Sequence, residues 1–278
     1  MTWTRQDLAT NMGVKLTWPA IEPTRRWIRV RLDGELIADT RRAQLLIDYG
    51  PETLPTYFIP LEDVRTDRLA ERDTAADGTV TWSVRTAERT AHRAAFGYTT
   101  PPAGFPELAD HVSFRWDAVE WYEEDERVFV HARDPNKRVD VLRSSRHVHV
   151  EVAGVTIADS HRPTLLFETL LPARYYLPRE DVRTDLLIPS ETRSRCPYKG
   201  VASYWSVRAN GVVVPDVVWS YQDPIAENPR IRDLFCFFNE RVDVTVDGKL
   251  ERPWTPWSSD EGQSWQRQAQ GHRQSVAP

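Results

Sequence analysis

The chain is poor in the residues that staple small folds or open catalytic motifs. Only two cysteines, Cys196 and Cys236, occur in 278 residues, and no C-x-x-C pair is present. That excludes a disulfide framework and a thiolate zinc knuckle, and it fits a reducing compartment. No apolar run approaches the roughly 20 residues that span a bilayer. The first residues, MTWTRQDLATNMG, lack the apolar core of a leader. Together these place the expected location in the cytoplasm, with no membrane partner. Basic residues are not in excess: the net charge is −5 and the pI about 5.9. A nucleic-acid partner is therefore not expected, because phosphate binding needs a basic face. The one basic run, Lys137 to His147, is short and mixed with apolar residues, and reads as a linker and strand edge with solvated charges. Gly/Ser loops able to cradle phosphate are missing, and so are long amphipathic helical patterns.

What the chain does have is itself, twice. IADTRRAQLLIDYG (Ile37 to Gly50) returns as IADSHRPTLLFETL (Ile157 to Leu170), and TYFIPLEDVRTDRL (Thr56 to Leu69) as RYYLPREDVRTDLL (Arg174 to Leu187). TWSVR at Thr81 to Arg85 returns as YWSVR at Tyr204 to Arg208, AAFGY at Ala94 to Tyr98 as VVWSY at Val217 to Tyr221, and FRWDAVEW as FFNERVDV. So long a period means two copies of one domain rather than a solenoid. The expected division is an N-terminal extension (1–22), a diverged first copy (23–134), a second copy (135–251) and a polar tail (252–278). The tail holds Trp254, Trp257 and Trp265; the first two are expected to dock on the second copy.

Strand patterning dominates. Ile28, Val30 and Leu32 alternate with Arg29 and Arg31, and Val148, Val150 and Val152 alternate with His147, His149 and Glu151. Period two marks half-buried strands. Asp33-Gly34 and Ala153-Gly154 read as hairpin turns. The two EDVRTD segments read as short proline-started helical turns, and 227–234 as another. The fold class is mainly β: two tandem small antiparallel-sheet domains with short helices.

Five separated blocks of the second copy, LLFET, RYYLPREDVRTDLL, TRSRCPYKGVASYWSV, VVWSY and FFNERVDVTVDG, resemble the domain-of-unknown-function 427 family. The resemblance covers essentially all of the second copy, with the first as a diverged member. It implies tandem copies of a β-tent-like fold, a group that includes a drug-binding domain in which an aromatic cage holds a small cyclic imide. Several β-tent relatives bind zinc through paired cysteines; this chain lacks the pairs, so zinc is not carried over and no cofactor is expected.

Comparing the copies isolates a candidate site. Trp82 and Trp205 persist and read as core, as do the repeated Asp39/Asp159, Arg42/Arg162, Tyr57/Tyr175, Asp63/Asp181 and Arg65/Arg183, which read as buried pairs or turn caps. Between the repeated RTD and WSVR blocks the second copy has extra residues carrying CPYKG, where the first has AERDTAADG. Cys196, Lys199 and Tyr204 therefore belong to the second copy alone. A thiol fixed by the following proline, with an ammonium three residues on, suits a nucleophile. Tyr204, from the next strand and opposite its core face, could donate a proton. Tyr176, Trp219 and Tyr221 are expected to wall a pocket and Glu168 to supply a carboxylate, although Asp48 holds its place in the first copy. Cys236 reads as core. His147 and His149 share a strand face, but no third ligand is legible, so no metal is assigned. Trp116, Trp121 and Tyr122 read as packing between domains. The expected function is binding of a small molecule in the second copy. Catalysis is left open, with Cys196 as nucleophile or Lys199 and Tyr204 as acid and base. The alternative is a peptide- or protein-binding module. A nucleotidyltransferase-like activity ranks last, because the carboxylates shared by both copies look structural and the phosphate loop is missing. Oligomeric state is not legible.

Overall fold

The computed structural model describes residues 19–49, 53–253 and 255. The tail tryptophans lie outside them. The chain separates into two compact units, with the break between Asp134 and Pro135.

Among the described residues each unit has eleven strands. The first has β1 (Ala20–Pro23), β2 (Ile28–Leu32), β3 (Glu35–Thr40), β4 (Gln44–Ile47), β5 (Thr56–Pro60), β6 (Leu69–Thr74), β7 (Thr79–Arg85), β8 (Thr90–Tyr98), β9 (His111–Phe114), β10 (Glu120–Glu123) and β11 (Glu126–Val128). The second has β12 (Val139–Arg143), β13 (Val148–Val152), β14 (Val155–Ser160), β15 (Thr164–Glu168), β16 (Arg174–Leu177), β17 (Leu187–Cys196), β18 (Gly200–Ala209), β19 (Val212–Ser220), β20 (Phe235–Phe237), β21 (Asp243–Val246) and β22 (Lys249–Glu251). A seven-stranded sheet runs β1-β4-β5-β9-β8-β7-β6 in the first unit and β12-β15-β16-β20-β19-β18-β17 in the second. A four-stranded sheet runs β11-β10-β2-β3 and, in the second unit, β22-β21-β13-β14. The topology is identical strand for strand, and every pairing is antiparallel.

The alternating patterns do what period two demands. Val148, Val150 and Val152 face a core shared with Leu165, Tyr175, Leu177, Val207, Val217 and Phe237 of the larger sheet. Ile28, Val30 and Leu32 do the same in the first unit with Leu45, Tyr57, Ile59 and Val84. Trp82 and Trp205 pack against these cores with part of each ring open. The turns at Asp33-Gly34 and Ala153-Gly154 have positive φ at both residues, the geometry of a type I′ hairpin. Among the described residues the short helices are all 3-10: Leu61–Asp63, Thr66–Arg68 and Pro106–Leu108 in the first unit, and Arg179–Asp181, Thr184–Leu186 and Pro229–Ile231 in the second.

The repeated polar residues tie these turns to the sheets. Arg65 and Arg183 fork onto Asp67 and Asp185, while Thr40 and Ser160 donate to Asp63 and Asp181 at 2.6 and 2.7 Å. Arg42 and Arg162 reach the same two aspartates, but their side chains are exposed, so these are surface ties rather than buried pairs. The aromatic reading of the first unit needs correcting too. Trp121 is 1% exposed in the unit's own core, and Trp116 packs against it with ring centroids 4.7 Å apart. Alternation put Trp121 beside Val30 on the inner face, which its neighbours in sequence did not reveal.

Candidate functional site

The outer hairpin is where the units part. In the first, β6 and β7 are 6 and 7 residues long; in the second, β17 and β18 are both 10. The extra residues lengthen the hairpin, and Pro197–Lys199 close it. Gly200 then sits at φ +110 with the place of a Cβ 3.1 Å from the Asp223 carbonyl oxygen. It pairs with Pro224 while Ile225 N–H donates to the Lys199 carbonyl at 3.1 Å. A backbone segment is thus strapped across the turn at a distance that only glycine admits without strain.

Strand register gathers the remaining residues. Tyr176 pairs with Cys236, Cys236 with Trp219, Trp219 with Tyr204, and Cys196 with Gly200, two steps of alternation from Ala202 and four from Tyr204. Cross-strand partners point to the same face, so these residues share the face of the large sheet turned away from the inter-sheet core. Leu166, Tyr176, Ala202, Tyr204, Trp219, Tyr221, Ile231, Cys236 and Phe238 form one buried cluster there. The proposed pocket wall is therefore a packed layer, with Tyr204 only 6% exposed. Polar atoms within it pair with one another: the Tyr204 hydroxyl bonds Ser194 Oγ at 2.7 Å, and Trp219 Nε1 donates to the Tyr176 hydroxyl at 3.1 Å. Burial pushes the Tyr176 and Tyr221 phenols well up.

Glu168 occupies the edge of this layer, with its side chain 4% exposed. Lys199 Nζ donates to Oε2, and Lys137 Nζ lies 3.0 Å from Oε1. Burial alone would raise the Glu168 pKa; the charges of Lys137 and Lys199 outweigh it and hold the carboxyl at about 2. Burial likewise works against the Lys199 ammonium, but Cys196, Glu168 and Tyr176 prevail and push its pKa well above the ordinary lysine value. An amine held this firmly protonated does not act as a base near neutral pH. Lys137 is also not a solvated linker charge: its side chain is 13% exposed. The β12–β15 pairing, Val139 with Glu168, carries it into place. Ser194 and Lys137 were missed from the sequence because only the strand order makes them neighbours of Tyr204 and Glu168.

A second buried pair flanks the layer. Arg174 donates to both Glu240 oxygens, at 2.6 and 2.8 Å, and to Asn239, and its guanidinium lies over Trp219 and Phe238.

The two thiols have opposite environments. Cys236 is fully buried, and burial pushes its thiol up to about 12. Cys196 is partly exposed. Iodoacetamide is expected to alkylate Cys196 in the folded protein and Cys236 only after unfolding. Equal labelling of both, read by peptide mass spectrometry, would contradict this arrangement.

The first unit fills the corresponding face differently. Phe58 stands for Tyr176, Phe96 for Trp219, Ser113 for Cys236 and Thr81 for Tyr204, with Phe58 against Phe96 and Tyr98 at centroid distances of 5.7 and 6.0 Å. The first copy thus puts phenylalanine rings where the second has Tyr176 and Trp219, while keeping a buried carboxylate, Asp48, in the place of Glu168.

No helix among the described residues is long and apolar enough to cross a membrane. A search of the curated proteins finds no match to the chain. A family described as a domain of unknown function (DUF427) matches residues 20–125 and again residues 140–248. With most of its length inside these two stretches and the same topology in each, the chain belongs to the DUF427 family as a tandem of two copies.

Proposed function

We propose that the second copy binds a small, flat, hydrogen-bonding molecule at the Cys196 end of its large sheet. One observation carries this reading. Polar and ionised groups collect beneath a single partly exposed thiol, on a face that the first copy covers with Phe58 and Phe96. Burying Glu168 against two lysines is expensive compared with an apolar filling, so fold stability is a poor reason for it. Ser194 and Tyr204, hydrogen-bonded to each other, and Tyr221 put hydroxyls behind the Cys196 end, and the Trp219 and Phe238 rings, packed on each other at a centroid distance of 4.5 Å, back it. Orientation of a ligand, rather than base catalysis by Lys199, is the role that these groups suit. The aromatic cage implied by the β-tent resemblance points to the same ligand class.

The test titrates the full chain with succinimide, glutarimide and short monocarboxylates, read by ligand-observed NMR and thermal shift. Saturable binding of one class is expected, with loss in Cys196→Trp, a change at a partly open position that blocks the hairpin end. Equal binding by wild type and variant, or no binding by any of the probes, overturns the proposal. Binding of unstructured peptides in place of the small probes would favour a peptide-recognition module.

A further inference from the structure

A different cluster lies on the outer face of the second copy's small sheet. His149 of β13 pairs in register with Asp159 of β14, and His147 precedes β13 on the same face. The Asp159 carboxylate joins both rings: His147 Nε2 is 2.9 Å from Oδ1, and His149 Nδ1 is 3.0 Å from Oδ2. One ligand atom from each of the three groups lies within 4.8 Å of the other two. The third group that the sequence did not show comes from the neighbouring strand.

Two further contacts shape the cluster as an outer shell would. His149 Nε2, the nitrogen turned away from Asp159, lies 3.4 Å from Thr156 Oγ1 and 3.7 Å from Glu151 Oε1. A carboxylate behind the distal nitrogen fixes ring orientation and leaves Nδ1 for a metal. The His161 ring stacks on His147 at 4.2 Å with an interplanar angle of 12°, fixing the plane of the second imidazole. Beneath them Val148, Val150 and Val152 are locked in the core, so the scaffold is rigid.

The first copy supplies the contrast. It keeps the aspartate as Asp39 but surrounds it with Trp27, Arg29 and Arg41. Trp27 Nε1 donates to Asp39, and both guanidiniums lie over the Trp27 ring, at 3.9 and 4.6 Å. Those groups have no lone pair for a metal, whereas all of their second-copy counterparts are histidines.

We propose that His147, His149 and Asp159 bind a divalent zinc-class metal ion, with the fourth position open to solvent. Two imidazoles and a carboxylate are borderline donors suited to Zn²⁺, whose bonds of about 2.0–2.2 Å need only a small inward turn of these side chains.

The experiment uses the untagged full chain, freed of metal by chelation, titrated with Zn²⁺ by calorimetry and with Co²⁺ by visible absorption. One ion per chain is expected, with the strong visible bands of four-coordinate Co²⁺. His149→Gln and Asp159→Asn should each weaken Zn²⁺ binding by more than the roughly 10–100-fold that loss of an outer partner costs. Asp159 is half exposed, so Asp159→Asn is expected to keep the melting temperature and isolates the binding effect if His149→Gln does not fold. The proposal is overturned if wild type binds neither ion, or if Asp159→Asn binds Zn²⁺ as wild type does.

Discussion

Replacing Glu168 with glutamine is expected to destabilise the protein by roughly 3–5 kcal/mol at neutral pH, the usual result of leaving a buried charge without its partner. The isosteric amide keeps the shape but removes the charge that Lys137 and Lys199 share. The effect carries its own pH signature. The Glu168 pKa is depressed in the folded state, so its contribution is complete above the ordinary carboxyl value near 4.5 and is lost as pH falls toward about 2. Wild type and Glu168→Gln should therefore differ most above pH 4.5 and converge as pH approaches 2. Urea unfolding across that range reads the difference directly. A gap that stays constant with pH would mean that Glu168 acts by packing rather than by charge.

Truncating Arg174 to methionine is the second large effect. The Arg174 and Glu240 side chains are 9% and 1% exposed, so the variant removes the guanidinium that neutralises a buried carboxylate and should lose a further 3–5 kcal/mol or so. The double change Arg174→Met with Glu240→Gln should recover most of that loss, a coupling of up to about 3 kcal/mol. The first copy dispenses with the buried guanidinium, and the acid that stands for Glu240, Asp117, pairs instead with the exposed Arg115. There Thr56 takes the place of Arg174 and Trp116 that of Asn239, with Trp116 Nε1 donating to Thr56 at 3.0 Å. If the double variant is no more stable than the single one, the pair holds more than its own charges, and the layer over Trp219 depends on the guanidinium itself.

These two pairs mark where sequence reading stops. Period two assigned Tyr204 to the face opposite Trp205 and Val207, and the copy comparison located Cys196 and Lys199 in the untwinned hairpin; the faces were legible because alternation is local. Neighbours across a sheet are not local. Glu168 meets Lys137 only because β12 returns beside β15, and Arg174 meets Glu240 only because β16 lies beside β20. Lys137 looked solvated for the same reason, whereas Arg138 and Arg146 of the same basic run are solvated. Trp116 and Trp121 misled in the opposite direction: a dense aromatic cluster suggested an interface, while its strand turned one ring inward. Asp159 escaped notice as a third metal ligand because only register sets it against His149.

The strand order has a consequence for how the chain reaches this state. Within each half the central ladders join distant segments: Val148 meets Val246, and Tyr176 meets Cys236. Such non-local closure makes for slow acquisition of structure. The twin halves present interchangeable edges meanwhile, so β5 has both β9 and β20 as geometrically acceptable mates. Exchange between twin halves is a general hazard of tandem domains, and the unequal β6–β7 and β17–β18 hairpins are where these two differ most in length.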